Sequence, residues 1–303
     1  VGAGVRTPSL AERPMWHAVC SHPLLRSTSF MTRPVPHSGP LLRLDADLAP
    51  LAVPADFAQR AEELGVAFDA GDPERLGMYL ALLLHANESL NLTGITDPAE
   101  AWTKHILDAV GMVPLFAGLV PDPADQDTTQ GGKAQILRVI DVGAGGGVPG
   151  IPLAILLPDI HVTLLEATGK KAEFLRIAVK RLALTNVTVL SERAEVVGQD
   201  HHLHREKYDV GIARALGRLV VLAELVVPLV RPGGHIFAVK GAKAEEELAE
   251  AAKALGLLGA RHAETIETPT AKIVVLEKTI RTPRLYPRKD GEPKRAPLGI
   301  AKS

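Results

Sequence analysis

The stretch RVIDVGAGGGVPGIPL, residues 138–153, constrains the fold of this chain more than any other, because a short apolar run leads directly into a glycine-rich turn. The apolar run has the length of a buried strand, and Pro149 follows the glycines at a position that suits the start of a helix. Glycines let the backbone approach a ligand closely, and a helix start offers unpaired N–H groups. The stretch therefore predicts a strand, a turn and a helix with a ligand held at the turn.

Several ligand classes use a turn of this kind. A nucleoside triphosphate loop requires Gly-Lys-Ser/Thr after the glycines, and Val148 and Pro149 stand there instead, which excludes that class. A dinucleotide fingerprint fits Gly145, Gly147 and Gly150, but the pattern is loose and a single match to it is weak. A tight turn without any ligand also remains compatible with the sequence.

The next predicted strand narrows the choice. The run HVTLLEAT contains Glu166 at its end, about twenty residues after the glycines, where a carboxylate accepts hydrogen bonds from an adenosine ribose. NAD and S-adenosylmethionine both satisfy this feature, and a glutamate that merely faces solvent is the alternative. Asp141, before the turn, adds an acidic group that can meet a methionine ammonium directly or through water, and NAD has no such cation. The two carboxylates together favour S-adenosylmethionine.

Strands and helices alternate after residue 136, which is typical of a parallel sheet covered by helices on both faces. No helical pattern separates the last two predicted strands, so we expect them to form an antiparallel hairpin at the sheet edge. The predicted fold class is α/β, a doubly wound, Rossmann-like sheet with an antiparallel terminal hairpin, the version found in S-adenosylmethionine methyltransferases. The predicted strands are residues 137–142, 162–166, 187–190, 210–213, 235–240, 260–268 and 273–277.

Composition divides the chain into four parts. Residues 1–53 carry scattered Pro, Ser, Arg and His without periodicity, which predicts a disordered extension. Residues 54–113 show apolar side chains at helical spacing and predict a helical cap packed on the catalytic domain. Residues 114–278 form that domain, with a surface insertion at 121–132. Residues 279–303 form a basic tail.

The charge distribution bears on possible partners. The formal net charge of −1 gives no global attraction for a polyanion, so any nucleic-acid surface must be a local patch. Eight cations against two acidic residues lie between Lys278 and Ser303, and the run alone is compatible with a solvated tail or with phosphate contacts, with Tyr286 as a base-stacking candidate. The single cysteine, Cys20, indicates a reducing compartment and leads us to expect a cytoplasmic protein. The longest apolar run, residues 219–230, is too short to span a bilayer.

Six motifs taken together have a specific order and spacing. They are NLTGITDPAEAWTKHILDAV, VIDVGAGGGVPGIPLAILLPDIHVTLLEATGKKAEFL, ERAE, ARAL, AVKG and YPRKDGEPKRAPL. In this combination the chain resembles the RsmG (GidB) family of bacterial ribosomal small-subunit RNA guanine-N7 methyltransferases, from about Leu76 to Leu298. The resemblance implies S-adenosylmethionine-dependent methyl transfer to N7 of a guanine in 16S ribosomal RNA.

The resemblance also implies a set of cofactor-binding positions. Family members often have Asp where Glu166 stands, which keeps a carboxylate at that position. They often have Ser where Ala109 stands and Thr or Ser where Ala144 stands, so the hydroxyl contacts of these two positions are not expected here. With Asp141 and Gly145 from the turn itself, the expected cofactor-binding residues are Asp141, Gly143, Gly145, Val148, Glu166, Ala167, Thr168, Ala194, Glu195 and Arg214.

Guanine N7 carries a lone pair and no proton, so the reaction requires alignment and no general base. We therefore expect His105, Asp108 and Lys240 to position the substrate, and we assign no proton-transfer residue. For His105, a structural hydrogen bond at the domain junction is an equally good interpretation. No metal is predicted, since the histidines of DHHLHREKYD lack ligand spacing.

The expected partner is 16S ribosomal RNA or the small ribosomal subunit, bound by a monomer that does not enter a membrane. Two other functions remain at this point, an NAD-linked oxidoreductase and a non-catalytic RNA-binding protein. The tail residues expected to contact RNA are Arg281, Arg284, Arg288, Lys289, Lys294 and Arg295.

Overall fold

The computed structural model describes residues 47–119 and 136–300 of the 303-residue chain. The predicted extension up to residue 46, including Cys20, and the predicted insertion at 121–132 lie outside the described residues. Among the described helices, none combines the length and the apolar character that crossing a bilayer requires.

The first described part of the chain is helical, as its apolar spacing predicts. Pro73 lies in the first turn of the longest helix, and Asp97 caps the next one, where its carboxylate accepts the N–H of Glu100 at 2.8 Å. The helical elements are α1 (Phe57–Glu63), α2 (Asp72–Leu90), α3 (Pro98–Ala101), a π-helical segment (Trp102–Leu107), α4 (Asp108–Val110) and a 3₁₀ turn (Val113–Phe116).

A seven-stranded sheet follows, with the order β3-β2-β1-β4-β5-β7-β6. The first five strands are parallel, and β7 lies antiparallel between β5 and β6. The predicted doubly wound α/β fold and its terminal antiparallel hairpin are thus confirmed. The strands are β1 (Leu137–Val142), β2 (Ile160–Leu165), β3 (Val187–Leu190), β4 (Tyr208–Arg214), β5 (Val230–Lys240), β6 (Ala260–Glu267) and β7 (Lys272–Lys278).

Strands β2, β4, β5, β6 and β7 differ from their predicted bounds, and the differences in β2 and β5 bear on the site and the pairing. Strand β2 ends at Leu165, so Glu166 stands just beyond the strand, at the start of a loop. Strand β5 begins at Val230, five residues before the predicted start, because it resumes pairing with Tyr208 across a bulge. The sequence RPGG, near the start of β5, is typical of a turn, so local composition does not indicate that this part of β5 pairs with β4.

Helices cover both faces of the sheet and bury a separate apolar cluster on each. One cluster lies under the N-terminal helices, α5 and α6, and the other lies under α8 and α9. Neighbouring residues of β1 alternate between them, with Val139 in the first cluster and Ile140 in the second. The covering helices are α5 (Gly150–Leu156), α6 (Gly169–Arg181), α7 (Ala194–Val197), α8 (Leu219–Val226), a 3₁₀ turn (Val227–Leu229), α9 (Ala244–Leu258) and α10 (Glu292–Arg295).

Residues 279–300, here called the C-terminal strap, fold back across the second face of the sheet. Arg205 anchors the strap by donating hydrogen bonds to the backbone carbonyls of Thr282, Pro283 and Tyr286 at 2.6–3.1 Å. The Tyr286 side chain is buried in the second apolar cluster. The strap is therefore a packed part of the domain, and the expectation that Tyr286 is available to stack on a base is wrong.

Arg288 is the second correction to the predicted basic tail. Its guanidinium forms a bidentate pair with the carboxylate of Glu224 on α8, at 2.8 and 2.6 Å, and Glu224 is 0% exposed. Lys278 is likewise buried, where it donates to Glu206 at 2.9 Å. Arg288 compensates a fully buried carboxylate and Lys278 pairs with a half-buried one, so neither cation is available to phosphate.

Candidate functional site

The glycine-rich turn stands at the carboxyl end of β1, where β2 and β4 also end. Gly143, Gly145 and Gly147 have φ values of 73°, 55° and 92°, a left-handed conformation that side chains oppose. The N–H groups of Gly143 and Ala144 both donate to the carbonyl of Leu165, at 2.8 and 3.0 Å, and this ties the turn to the end of β2. The predicted strand, turn and helix are thus confirmed as structure.

Glu166 bridges this turn and the loop that leads into α6. One carboxylate oxygen accepts the N–H of Gly145 at 3.0 Å, and the other accepts the N–H of Thr168 at 2.7 Å. A carboxylate oxygen has two lone pairs, so each oxygen keeps the capacity for one more hydrogen bond. Glu166 therefore fixes the rim of the site and still offers a pair of acceptors to a diol.

Asp141 is the next-to-last residue of β1 and lies beneath the same turn. Its Oδ2 accepts the N–H of Gly150 at the start of α5, at 3.0 Å, while its buried Oδ1 has no hydrogen-bond partner within the described residues. Burial raises the pKa of Asp141 to about 7, against the lowering effect of the Gly150 N–H. An unpartnered carboxylate oxygen at a ligand-binding edge is suited to a cationic or N–H donor group.

Arg214, at the end of β4, joins the site to the N-terminal helices. Its guanidinium donates to the carbonyl of Lys104 at 2.8 Å and interacts electrostatically with Asp108, Tyr79 and Asp141. Burial lowers the pKa of Arg214 from its usual value, but an arginine remains charged at physiological pH. Arg214 thereby supplies the positive charge among these buried acidic groups.

Lys240 stands at the end of β5, as predicted, and supports the loop after β4. Its ammonium donates to the carbonyl of Gly217 at 2.5 Å and pairs with Glu247 at 2.8 Å. In this loop Ala215 and Gly217 have φ values of 56° and 97°. The same loop packs Leu216 so closely on Gly143 that a Cβ there would lie 2.6 Å from it.

His105 and Asp108 are both buried at the junction of the helical cap and the sheet. Nε2 of His105 lies 2.9 Å from the hydroxyl of Thr93, and burial together with Arg214 lowers the pKa of His105 to about 4. Asp108 accepts hydrogen bonds from the side chain of Thr268 at 2.9 Å and from the backbone of Thr270 at 3.0 Å, in the β6–β7 loop. His105 is therefore neutral, and Asp108 holds the terminal hairpin.

The other predicted cofactor positions surround the turn at different depths. Val148 is half-buried behind the glycines, and Ala167 and Thr168 are exposed beside Glu166. Ala194 and Glu195 begin α7, after β3, but the Glu195 carboxylate accepts the N–H of Gly291 in the strap at 3.0 Å. The backbone at the start of α7 therefore belongs to this edge of the sheet, while the Glu195 side chain is used to hold the strap.

Two functional contacts were missed by sequence reasoning. Tyr79 lies within the helical pattern of residues 54–113, and its hydroxyl donates to the carbonyl of Gly146. Arg205 lies in a polar loop, and the sequence does not indicate that it anchors the strap. A buried-face tyrosine carries a hydroxyl that needs a partner, which is a usable signal for the first contact. An arginine in a polar loop gives no comparable signal.

The site as a whole combines an unpartnered acidic oxygen on Asp141 with a carboxylate on Glu166 that keeps free acceptor capacity. This set suits a nucleoside with a free ribose diol and an attached ammonium group. The antiparallel β7 between β5 and β6 also differs from the 3-2-1-4-5-6 order of the dinucleotide-binding sheet.

Comparisons with known proteins find relatives over most of the chain. The GidB family model, described as rRNA small subunit methyltransferase G, matches residues 72–274. A ribosomal RNA small subunit methyltransferase G from Sorangium cellulosum is 47% identical over 238 residues, which cover 78% of this chain and 93% of that one. Proteins of the same name from Rubrobacter xylanophilus and Lactococcus lactis are 42% and 35% identical, covering 80% and 81% of this chain and 90% and 99% of theirs.

Proposed function

Because the chain belongs to the GidB family of rRNA small subunit methyltransferases G, we propose that it transfers a methyl group from S-adenosylmethionine to N7 of a guanine in 16S ribosomal RNA. The observation that carries the cofactor assignment is the unpartnered Oδ1 of Asp141, next to a turn that Glu166 closes. The names of the relatives support ribosomal RNA as the substrate class.

The residues of the site have definite tasks in this reaction. When bound, S-adenosylmethionine supplies an electrophilic methyl group on a sulfonium. Asp141 would accept a hydrogen bond from the cofactor's ammonium, Glu166 would accept hydrogen bonds from the ribose hydroxyls, and residues 167–168 and 194–195 would line the nucleoside. Since N7 of guanine needs no deprotonation, the remaining task is to hold the base in line with the methyl group.

Charge management is the second task. Methylation makes the guanine ring cationic, so a second cation pressed against the ring would oppose the transition state. The low pKa of His105 keeps that side chain neutral, and the Lys240 ammonium is paired with Glu247. We propose that His105 positions the substrate, with Asp108 and Lys240 acting through the loops that they hold.

The exposed cations of the strap are our proposal for the RNA-binding surface. Arg288 is excluded from this set because it pairs with Glu224. The packed strap presents the other cations on a fixed backbone, which reduces the entropy lost on binding. The proposed phosphate-contacting residues are Arg281, Arg284, Lys289, Lys294 and Arg295, all exposed.

Replacing Arg284 and Lys289 together by alanine is expected to weaken binding of 16S ribosomal RNA and to flatten its salt dependence. Each lost phosphate contact lowers the slope of log K against log salt by about 0.7 for single-stranded RNA. Fluorescence anisotropy at several salt concentrations measures the slope. Lys180→Ala, an exposed cation of α6, is the matched control. An unchanged slope in the double variant would remove these two residues from the RNA surface.

The binding of S-adenosylhomocysteine is expected to depend on pH through Asp141. With its pKa at about 7, Asp141 is mostly protonated at pH 6, and a cationic ligand favours the ionised form. Binding therefore releases a proton, and affinity rises about tenfold between pH 6 and 8. Calorimetry in two buffers of different ionisation enthalpy measures the release. Asp141→Asn keeps the acceptor for Gly150 and should abolish the pH dependence; persistence of that dependence would assign it to another group.

Transfer of labelled methyl groups tests the proposed function itself. We expect incorporation into 16S ribosomal RNA or small subunits, with N7-methylguanine in the digested product. Binding of RNA without any methyl transfer would indicate a non-catalytic RNA-binding protein. If calorimetry shows that NADH binds and S-adenosylhomocysteine does not, the protein is an oxidoreductase. We also propose that the protein acts in the cytoplasm as a monomer, and sedimentation velocity measures the second point.

A further inference from the structure

The glycine-rich turn is contacted from outside the sheet by a helix of the N-terminal cap. Tyr79 of α2 is 0% exposed, and its hydroxyl donates to the carbonyl of Gly146 at 2.8 Å. Gly146 lies between Gly145 and Gly147, whose backbones are both left-handed. The hydroxyl therefore holds the central peptide of the turn, 67 residues away in sequence.

Packing around Gly146 leaves this peptide little freedom. A Cβ on Gly146 would lie 2.6 Å from Cδ1 of Leu83 and 3.4 Å from Cβ of Leu92, so α2 and the loop after it press directly on the backbone. Asn87 fixes that loop, since its side-chain carbonyl accepts the N–H groups of Leu92 and Thr93 at 2.7 and 2.9 Å. The helical cap thus supplies one wall of the turn.

The hydrogen bond is also persistent. Burial raises the pKa of Tyr79 well above its ordinary value, so the hydroxyl keeps its proton over the whole physiological range. The peptide that it holds joins Gly146 to Gly147 and includes the N–H of Gly147, which donates to the carbonyl of Ala144 at 2.7 Å. The N–H of Gly145, which donates to Glu166, lies two peptide units earlier in the same turn. A rotation of the Gly146–Gly147 peptide would break the backbone bond of Gly147 directly and would disturb the bond to Glu166 through the adjoining residues.

We propose that Tyr79 is a positioning residue for the cofactor site: its hydroxyl fixes the Gly146 carbonyl and thereby the shape of the turn that holds the Glu166 carboxylate, the proposed acceptor for the ribose hydroxyls. This inference rests on the proposed cofactor-binding function. It makes the helical cap part of the cofactor site, although the cap supplies no side chain to the cofactor in this assignment.

The test compares two tyrosine-to-phenylalanine variants of the full chain. Tyr79→Phe keeps the ring packing and removes the hydrogen bond to the turn. Tyr208→Phe is the matched control, because Tyr208 is also buried and its hydroxyl lies 2.8 Å from Nδ1 of His204, near the amino end of β4. Calorimetric Kd values for S-adenosylhomocysteine, melting temperatures and Kd values for 16S ribosomal RNA are measured for each.

We expect Tyr79→Phe to weaken binding of S-adenosylhomocysteine about tenfold, as the loss of one buried hydrogen bond allows. Both variants should lower the melting temperature by similar amounts, but Tyr208→Phe should leave the Kd for S-adenosylhomocysteine unchanged. Neither variant should alter the Kd for 16S ribosomal RNA. Equal Kd values in wild type and Tyr79→Phe, or equal weakening in both variants, would overturn the positioning role. Failure of the wild type to bind S-adenosylhomocysteine would instead overturn the proposed function.

Discussion

Replacement of Arg288 by alanine is expected to lower the free energy of unfolding by about 3–5 kcal/mol, since it leaves a fully buried carboxylate without its cation. The guanidinium of Arg288 donates to both oxygens of Glu224 and also to the carbonyl of Ala296, so the variant loses these side-chain bonds and keeps only the backbone N–H of residue 288 as a donor to Glu224. Urea unfolding monitored by circular dichroism measures the effect.

Two further variants separate this effect from a general loss of positive charge. Arg281→Ala removes a guanidinium that is 86% exposed and should change stability by less than about 0.5 kcal/mol. The double variant Glu224→Leu with Arg288→Met replaces both charges by apolar groups and should recover most of the loss. If Arg288→Ala is as stable as Arg281→Ala, the pair contributes nothing and the strap is held by other contacts.

The largest effect on ligand binding is expected from Glu166→Ala. The variant removes two acceptors for backbone N–H groups, at Gly145 and Thr168, together with the proposed acceptors for the ribose hydroxyls. Each shielded hydrogen bond to a charged group contributes about 1.5–3 kcal/mol, so Kd for S-adenosylhomocysteine should rise at least about 100-fold. Isothermal titration calorimetry measures the change.

Controls for this variant come from the same chain. Glu166→Asp retains a carboxylate with shorter reach and should retain most of the affinity, whereas Glu173→Ala removes a more exposed carboxylate of α6, paired with Arg176, and should leave Kd unchanged. An affinity loss below tenfold for Glu166→Ala would show that the ribose is held elsewhere.

The strands and the glycine-rich turn were predictable because their signals are local. β1 and β3 have the predicted bounds, since an apolar run of strand length is flanked there by breaking residues. The turn conformation also follows from composition, since Gly143, Gly145 and Gly147 all take positive φ. Predictions of this kind need no knowledge of what packs against the segment.

Contacts between distant segments were not predictable in the same way. The composition of residues 279–303 is that of a solvated basic tail. Only the three-dimensional arrangement shows that Arg288 pairs with the carboxylate of Glu224, 64 residues earlier in the chain. Asp108 was expected to position the substrate, and the sequence around it does not indicate its partners Thr268 and Thr270, which lie 160 and 162 residues away. Neither the pairing of Arg288 with Glu224 nor the contacts of Asp108 produce a periodic pattern in the sequence.

The strap also has a consequence for the order in which this protein reaches its native state during synthesis. A nascent chain that has emerged as far as β7 already contains Glu224 and Arg205, but their partners in the strap have yet to be made. Until residue 288 leaves the ribosomal tunnel, Glu224 has no counterion from the strap, and full burial of its charge is unfavourable. The second face of the sheet therefore closes only after translation has passed the strap, so vectorial folding from the amino end has to stop short of the native state.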